Sequence, residues 1–191
     1  LAALGRPAPA PWAILLKRRD MGEAEAWFHH GVTSTDIVDT AQAIQLTEAV
    51  DLLLADLQSL ESAMVEQAKK HRDTLMIGRT HGIHAEPITF GLKLAVWIAE
   101  VRRNIERLQH ARKTMAVGQI SGAVGTYANV DPRVEELACA ALGLEPSPAS
   151  TQTLQRDRHA ELLSTMAVVA GSLEKFATEV RNLQRTDLLE A

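Results

Sequence analysis

From Asp36 to Lys70 apolar residues return every three or four positions: Ile37, Ala41, Ile44, Val50, Leu53, Leu57, Leu60, Met64 and Ala68. One gap, between Ile44 and Val50, interrupts the series, and no Pro or Gly falls inside it. That period predicts a helix, roughly 50 Å long at 1.5 Å per residue. A second stripe follows Pro87, a residue suited to the first turn of a helix: Phe90, Leu94, Trp97, Val101, Ile105, Leu108 and Met115. A short third helix is predicted from Pro132 to Leu142, stopped by Gly143. The fourth starts near Asp157 and carries Leu162, Met166, Val169, Leu173, Phe176, Val180 and Leu183. Those steps alternate between four and three, the 3.5-residue period of helices packed nearly parallel. No strand-like alternation of useful length appears. The predicted fold class is all-α, an elongated bundle of long helices whose stripes call for neighbouring subunits.

Residues 1–21 read differently. Pro7, Pro9 and Pro11 favour extended backbone, and Lys17-Arg18-Arg19-Asp20 is a charge cluster of the kind that usually faces solvent. An irregular N-terminal segment, or the remnant of another domain, is expected there. Residues 22–191 are expected to form the helical-bundle domain, which the family resemblance given below implies is incomplete at its C-terminal end.

Composition narrows the function classes. Hydrophobic residues at 46% and charged residues at 23% make an ordinary globular balance. Aromatics, at 4%, are too few to favour a β-rich fold. The net charge of −4, with acids and bases interspersed, leaves no footprint for nucleic acid or an anionic membrane. No apolar run approaches the ~20 residues that span a bilayer. The single Cys139 excludes an internal disulfide and a cysteine metal site, and fits a reducing cytosol. The start, Leu1-Ala2-Ala3-Leu4, is too short and too poor in basic charge for a signal peptide. Without an initiator Met, the chain is expected to be a fragment.

Candidate chemistry lies between the helices. Thr33, Ser34 and Thr35 precede the first long helix, and Thr33 has capping-box spacing to Asp36. Hydroxyls and free N–H groups at a helix N-terminus serve equally to cap it or to hold an anion. The adjacent His29 and His30 suit proton transfer better than metal binding, because neighbouring histidines rarely share one ion. In Gly78-Arg79-Thr80-His81-Gly82 two glycines bracket a histidine, the side chain whose usual titration range spans neutrality. Arg79 and Glu86 could pair with each other or with a ligand. Ahead of the last helix, Thr151 and Thr153 are candidate caps, Arg156 and Arg158 read as solvated charges, and Gln152 can donate and accept at once. Gly118-Gln119-Ile120-Ser121-Gly122-Ala123-Val124-Gly125 implies a tight, irregular turn.

His30 to Ala41, HGVTSTDIVDTA, resembles the first signature of the fumarase/aspartase superfamily in its adenylosuccinate lyase form. Gly78 to Gly91, GRTHGIHAEPITFG, resembles the second. Ser121 to Pro132 and Thr151 to Glu161 also look like adenylosuccinate lyases, so the resemblance covers roughly residues 22–191. Argininosuccinate lyases and fumarases fit less well, having Asn-Asp where this chain has Ser34-Thr35-Asp36. Carboxymuconate cycloisomerases, the nearer alternative, typically lack the histidine that stands here as His81. The resemblance implies cleavage of adenylosuccinate to AMP and fumarate, and of the analogous succinyl-carboxamide ribotide, by acid–base elimination in purine synthesis. It implies His81 as proton donor, with Thr33, Ser34 and Gln152 binding substrate and Thr80 and His29 assisting. It further implies no metal or organic cofactor, a cytoplasmic homotetramer, and active sites assembled from different subunits. The family's Arg-His-Asp substrate segment has no match at Arg18-Arg19-Asp20. Its serine base lies on a loop beyond Ala191, so this polypeptide alone is expected to be inactive. A non-catalytic helical scaffold is the alternative from another class.

Overall fold

Three long apolar stripes and the short segment before Gly143 become four α-helices in the computed structural model, which describes residues 22–190. The proline run and charge cluster expected to be irregular lie outside the described residues. A 3-10 helix at Gly22–Trp27 leads to helix α1 at Ser34–Lys70, strands β1 at Leu75–Thr80 and β2 at Ile83–Thr89, and helix α2 at Phe90–Met115. Strand β3 (Val117–Gly118), helix α3 (Pro132–Leu142), strand β4 (Glu145–Pro146) and helix α4 (Asp157–Leu183) complete the order. The helical fold class stands. No helix among the described residues is long and apolar enough to cross a membrane. The chain divides into two compact units. One holds the first turns of α1 with residues 117–155, and the other holds residues 45–116 with those from 156 onward.

In the second unit α2 and α4 run antiparallel. Leu94, Trp97, Ile98, Val101, Ile105, Leu108, Ala111 and Met115 of α2 are buried, as are Leu162, Val169, Phe176 and Leu183 of α4. Burying each large side chain contributes about 1.5–3 kcal/mol. Trp97 stacks on Phe176 with centroids 4.9 Å apart and planes 25° apart, the offset arrangement that aromatic quadrupoles favour. Buried among them, Asn104 donates to Ser172 Oγ at 2.9 Å and accepts from Arg107 at 2.9 Å, so its amide is satisfied at both ends. Ion pairs between Arg112 and Asp51 and between Arg102 and Glu61 align the later turns of α1 antiparallel to α2. The guanidinium beside Asp51 holds that carboxyl below its usual range. An exposed pair of this kind contributes at most about 1 kcal/mol.

Only half of the α4 stripe is covered. Leu162, Val169, Phe176 and Leu183, seven apart, close inward. Met166, Leu173 and Val180, also seven apart, stay 36–39% exposed.

Several expectations are corrected. The buried face of α1 is not the predicted apolar one at its start: Ala41 is exposed and Ile37 and Ile44 are half-buried, while Asp36, Asp39, Thr40 and Thr47 are buried. The buried series 36, 40, 43, 47, 50, 54 and 57 keeps the helical period but opens on polar residues. Leu53 accordingly sits at the edge, 36% exposed, and Leu54 points inward.

The loop around His81 is an antiparallel hairpin in which Leu75 faces Thr89 and Thr80 faces Ile83, with a bulge between Ile77 and Arg79. It escaped the period test because both of its faces are largely exposed, so no alternation was needed. Pro87 belongs to β2, where a two-stranded ribbon tolerates a residue with no N–H to donate. Helix α2 is instead capped by Thr89, whose hydroxyl accepts from Leu92 N at 3.1 Å.

At the start of α4, Thr151 and Thr153 bond to one another and neither caps the helix, whose N-cap position is Arg156. Arg158 is not a free surface charge: it donates to Thr114 O at 2.7 Å and satisfies a carbonyl at the end of α2. Helix α3 runs as predicted, with Asp131 as N-cap and Gly143 at φ 69° closing it.

Candidate active site

The first unit gathers three of the sequence motifs around the start of α1. Asp36, fully buried, accepts backbone N–H groups from Thr33 at 2.8 Å, Ser121 at 3.2 Å and Gly122 at 3.1 Å. Its bond to Thr33 is one half of the predicted capping box. The other two bonds pin the glycine-rich turn against the helix end. One helical turn on, Asp39 accepts Leu154 N at 2.8 Å, which fixes the segment before α4. Thr40 Oγ1 donates to Gln119 O at 3.0 Å and accepts Gln119 N at 3.1 Å. The buried polar face of α1 is therefore a docking edge for loop backbone, and this is why apolar residues are absent from it.

Gln152 is thereby brought beside Thr33, 119 positions away, with Nε2 3.4 Å from the Thr33 hydroxyl. Its own carbonyl accepts from Thr35 Oγ1 and from Gln119 Nε2, the latter at 2.8 Å. Ser121 and Ser150 share a hydroxyl bond of 2.8 Å. Ser34 is exposed and opens the helix. The result is a set of hydroxyl and amide groups at the positive end of a 37-residue helix, suited to a carboxylate or phosphate. Below them Glu135, 3% exposed, accepts Ile120 N at 2.6 Å and Tyr127 OH at 2.8 Å. Burial and the Glu135 carboxylate push the Tyr127 phenol up to about 12, so it remains a donor at any working pH. His29, exposed with φ 62°, stands between the 3-10 helix and this site, and neighbouring His30 meets Trp27 edge-on at 5.3 Å.

Thr80 and His81 belong to the second unit. Thr80 ends β1, and His81-Gly82 forms the two-residue turn, with φ of 54° and 74°. Positive φ at both central positions is what a type I′ turn requires, and Asn-Gly is its usual occupant. A histidine in the left-handed region costs roughly 1–2 kcal/mol relative to the right-handed one. Both candidate histidines, His29 and His81, share this uncommon conformation, a pattern that concentrates at functional sites. Both Thr80 and His81 are exposed. Arg79 does not pair with Glu86; it binds Glu190 at 2.5 Å and holds that carboxyl below its usual range. That pair anchors the hairpin base beside a cavity of about 810 Å³ lined by Thr80, Gly82, Lys93 and Arg185 among others. Among the described residues no cluster of three His, Cys, Asp or Glu side chains is arranged to hold a metal ion.

Sequence reasoning passed over Asp39, Thr40, Glu135 and Gln119. The first two carried a usable signal, because polar residues at 36, 39, 40 and 47 fall on one helical face. Glu135 and Gln119 carried none, since they bond chiefly to loop backbone, with Tyr127 OH added at Glu135.

Known proteins are similar to this one over most of the chain. The family model described as lyase matches residues 14–190. Adenylosuccinate lyases of Synechocystis sp. and Bacillus subtilis are 59% and 55% identical over 170 residues, which cover 89% of this chain and 39% of each relative. The chain thus spans about two fifths of the length of these curated relatives. Among solved structures, 3-carboxy-cis,cis-muconate lactonizing enzyme from Pseudomonas putida superposes with a TM-score of 0.84 at 38% identity, over 98% of this chain and 43% of that one. A fumarate lyase from Mesorhizobium sp. BNC1 gives 0.81 at 32% identity, over 98% and 48%. With the family model matched over nearly the whole chain and the fold shared with these solved structures, the chain belongs to the lyases of the fumarase/aspartase superfamily.

Proposed function

We propose that the whole protein carrying this chain is an adenylosuccinate lyase. It cleaves adenylosuccinate to AMP and fumarate, and the succinyl-carboxamide ribotide to its carboxamide ribotide and fumarate. The observation that supports this most is the meeting of Thr33 and Gln152 at the start of α1, in a chain 55–59% identical to adenylosuccinate lyases.

The reaction is an elimination. A base takes the proton from the carbon beside a carboxylate, that electron pair becomes the new C=C bond, and the C–N bond breaks. The departing nitrogen receives a proton, and His81 is its donor. Thr33, Ser34 and Gln152 hold a succinyl carboxylate, on which negative charge grows in the transition state, at the positive end of the helix. Thr80 and His29 border the bound substrate. The base comes from outside this chain's own candidate residues. No metal or organic cofactor enters the steps.

The protein acts as a cytoplasmic homotetramer, and each site combines the α1 start of one subunit with the His81 hairpin of another. The half-covered seam of Met166, Leu173 and Val180 supports this assembly, because such a stripe is stable only when packed. Sedimentation of the purified whole protein should give four times the subunit mass; a monomer at micromolar concentration would contradict the assembly.

Purified whole protein should convert adenylosuccinate to equal amounts of AMP and fumarate. The TM-score of 0.84 to a muconate lactonizing enzyme makes carboxymuconate lactonisation the reading to set against it. Turnover of that substrate with none of adenylosuccinate would decide for the cycloisomerase.

A further inference from the structure

Gln119 is fully buried, yet its side chain is an amide where an apolar side chain of equal length would pack. Thr40 grips its backbone on both sides, at 3.0 and 3.1 Å. Directly before it, Val117 and Gly118 pair with Glu145 and Pro146. Its main chain therefore has no freedom to relocate. The side chain crosses to the segment before α4, where Nε2 donates to the carbonyl of Gln152 at 2.8 Å. Thr35 Oγ1 donates to the same carbonyl. The other end of the amide, Oε1, is buried with no hydrogen-bond partner among the described residues.

A buried acceptor without a donor is costly, and methionine at this position would avoid the cost at nearly the same volume. What methionine lacks is the N–H that reaches Gln152. The carbonyl it grips belongs to the residue whose side chain meets Thr33. Two donors on one carbonyl fix the peptide plane, and the peptide plane fixes where the Gln152 side chain leaves the backbone. The other bond on that peptide, from Thr153 N to Thr151 Oγ1, is long at 3.4 Å, and Asp39 holds Leu154, two residues later.

We propose that Gln119, with Thr35 as its partner, is a positioning residue that aims the Gln152 amide at substrate. Gln119 touches no substrate itself. The inference rests on the lyase reading, in which Gln152 binds the substrate carboxylate.

The test uses the whole protein and adenylosuccinate. Gln119→Met removes the donor while keeping length and burial. Loss of one neutral hydrogen bond to a substrate-aligning group should raise KM about 5–10-fold. The kcat should change by less than twofold and the melting temperature should not fall. Gln119→Glu sets a carboxylate against the Gln152 carbonyl, two acceptors face to face, and protonation restores a donor. The KM of Gln119→Glu relative to wild type should therefore fall as pH is lowered, an ionisation absent from Gln119→Met. Thr35→Val should raise KM in the same way and Thr35→Ser should restore it. A Gln119→Met enzyme with wild-type KM, or a Gln119→Glu KM ratio independent of pH, would overturn the proposal while leaving the lyase reading intact. An unaltered protein that does not turn over adenylosuccinate would overturn both.

Discussion

Replacing His81 with alanine in the whole protein is expected to lower kcat for adenylosuccinate by about 10²–10⁴, the usual contribution of a positioned general acid. The KM should move little, because the lost interaction is with a proton in flight and not with the bound ground state. His81 occupies the first central position of a two-residue turn at φ 54°, so alanine alone confuses two effects: it removes the imidazole and it strains the turn. His81→Asn separates them. Asparagine suits the left-handed conformation, so the hairpin between Leu75 and Thr89 should keep its register while the proton donor is gone. Both variants should be equally impaired. An active His81→Asn beside an inactive His81→Ala would mean that the turn matters and the proton does not. Retention of more than half the activity in both would remove His81 from the chemistry altogether.

The second large effect is expected at Asp36. Its carboxylate receives three backbone N–H groups from two separate loop segments, and no neutral side chain of its size accepts all three. Asp36→Ala leaves those donors buried without partners, at a cost of about 3 kcal/mol or more. In a chain of this length each kcal/mol shifts the melting point by about 2–4 °C, so a drop near 10 °C is expected by calorimetry. Asp36→Asn should fall between. One amide oxygen at the place of Oδ2 can still serve Thr33 and Gly122, while the NH₂ group confronts the N–H of Ser121. A melting point within 2 °C of wild type for Asp36→Ala would show that water replaces the carboxylate without penalty.

These two residues also mark where the sequence was readable and where it was not. Helices α2 and α4 could be placed from their period because each buries a mostly apolar stripe against the other, and α3 from its breakers, Pro132 and Gly143. The start of α1 broke that rule. It docks loop backbone, and backbone demands carboxylates and hydroxyls, so the polar residues were inside and Ala41 outside. The hairpin was invisible for the opposite reason: Leu75 and Ile83, 78% and 65% exposed, have no core to alternate toward. For the site, residue types left capping and binding roles both open, and only the family resemblance singled out Thr33, Gln152 and His81. The distant groups that the Asp36 and Asp39 carboxylates hold, and the glutamine that grips Gln152, could not be inferred. The atoms held are main-chain atoms, and main-chain atoms have no signature in the sequence.

The exposed seam of α4 bears on how such a protein behaves when diluted. Met166, Leu173 and Val180 form a surface that water penalises and a second copy would shelter. With that shelter, folding and association share one equilibrium, and the stability of each chain becomes a function of how many others surround it. A sample concentrated for calorimetry and the same sample diluted for an activity assay would then be different populations, and specific activity would fall with dilution before any residue is changed.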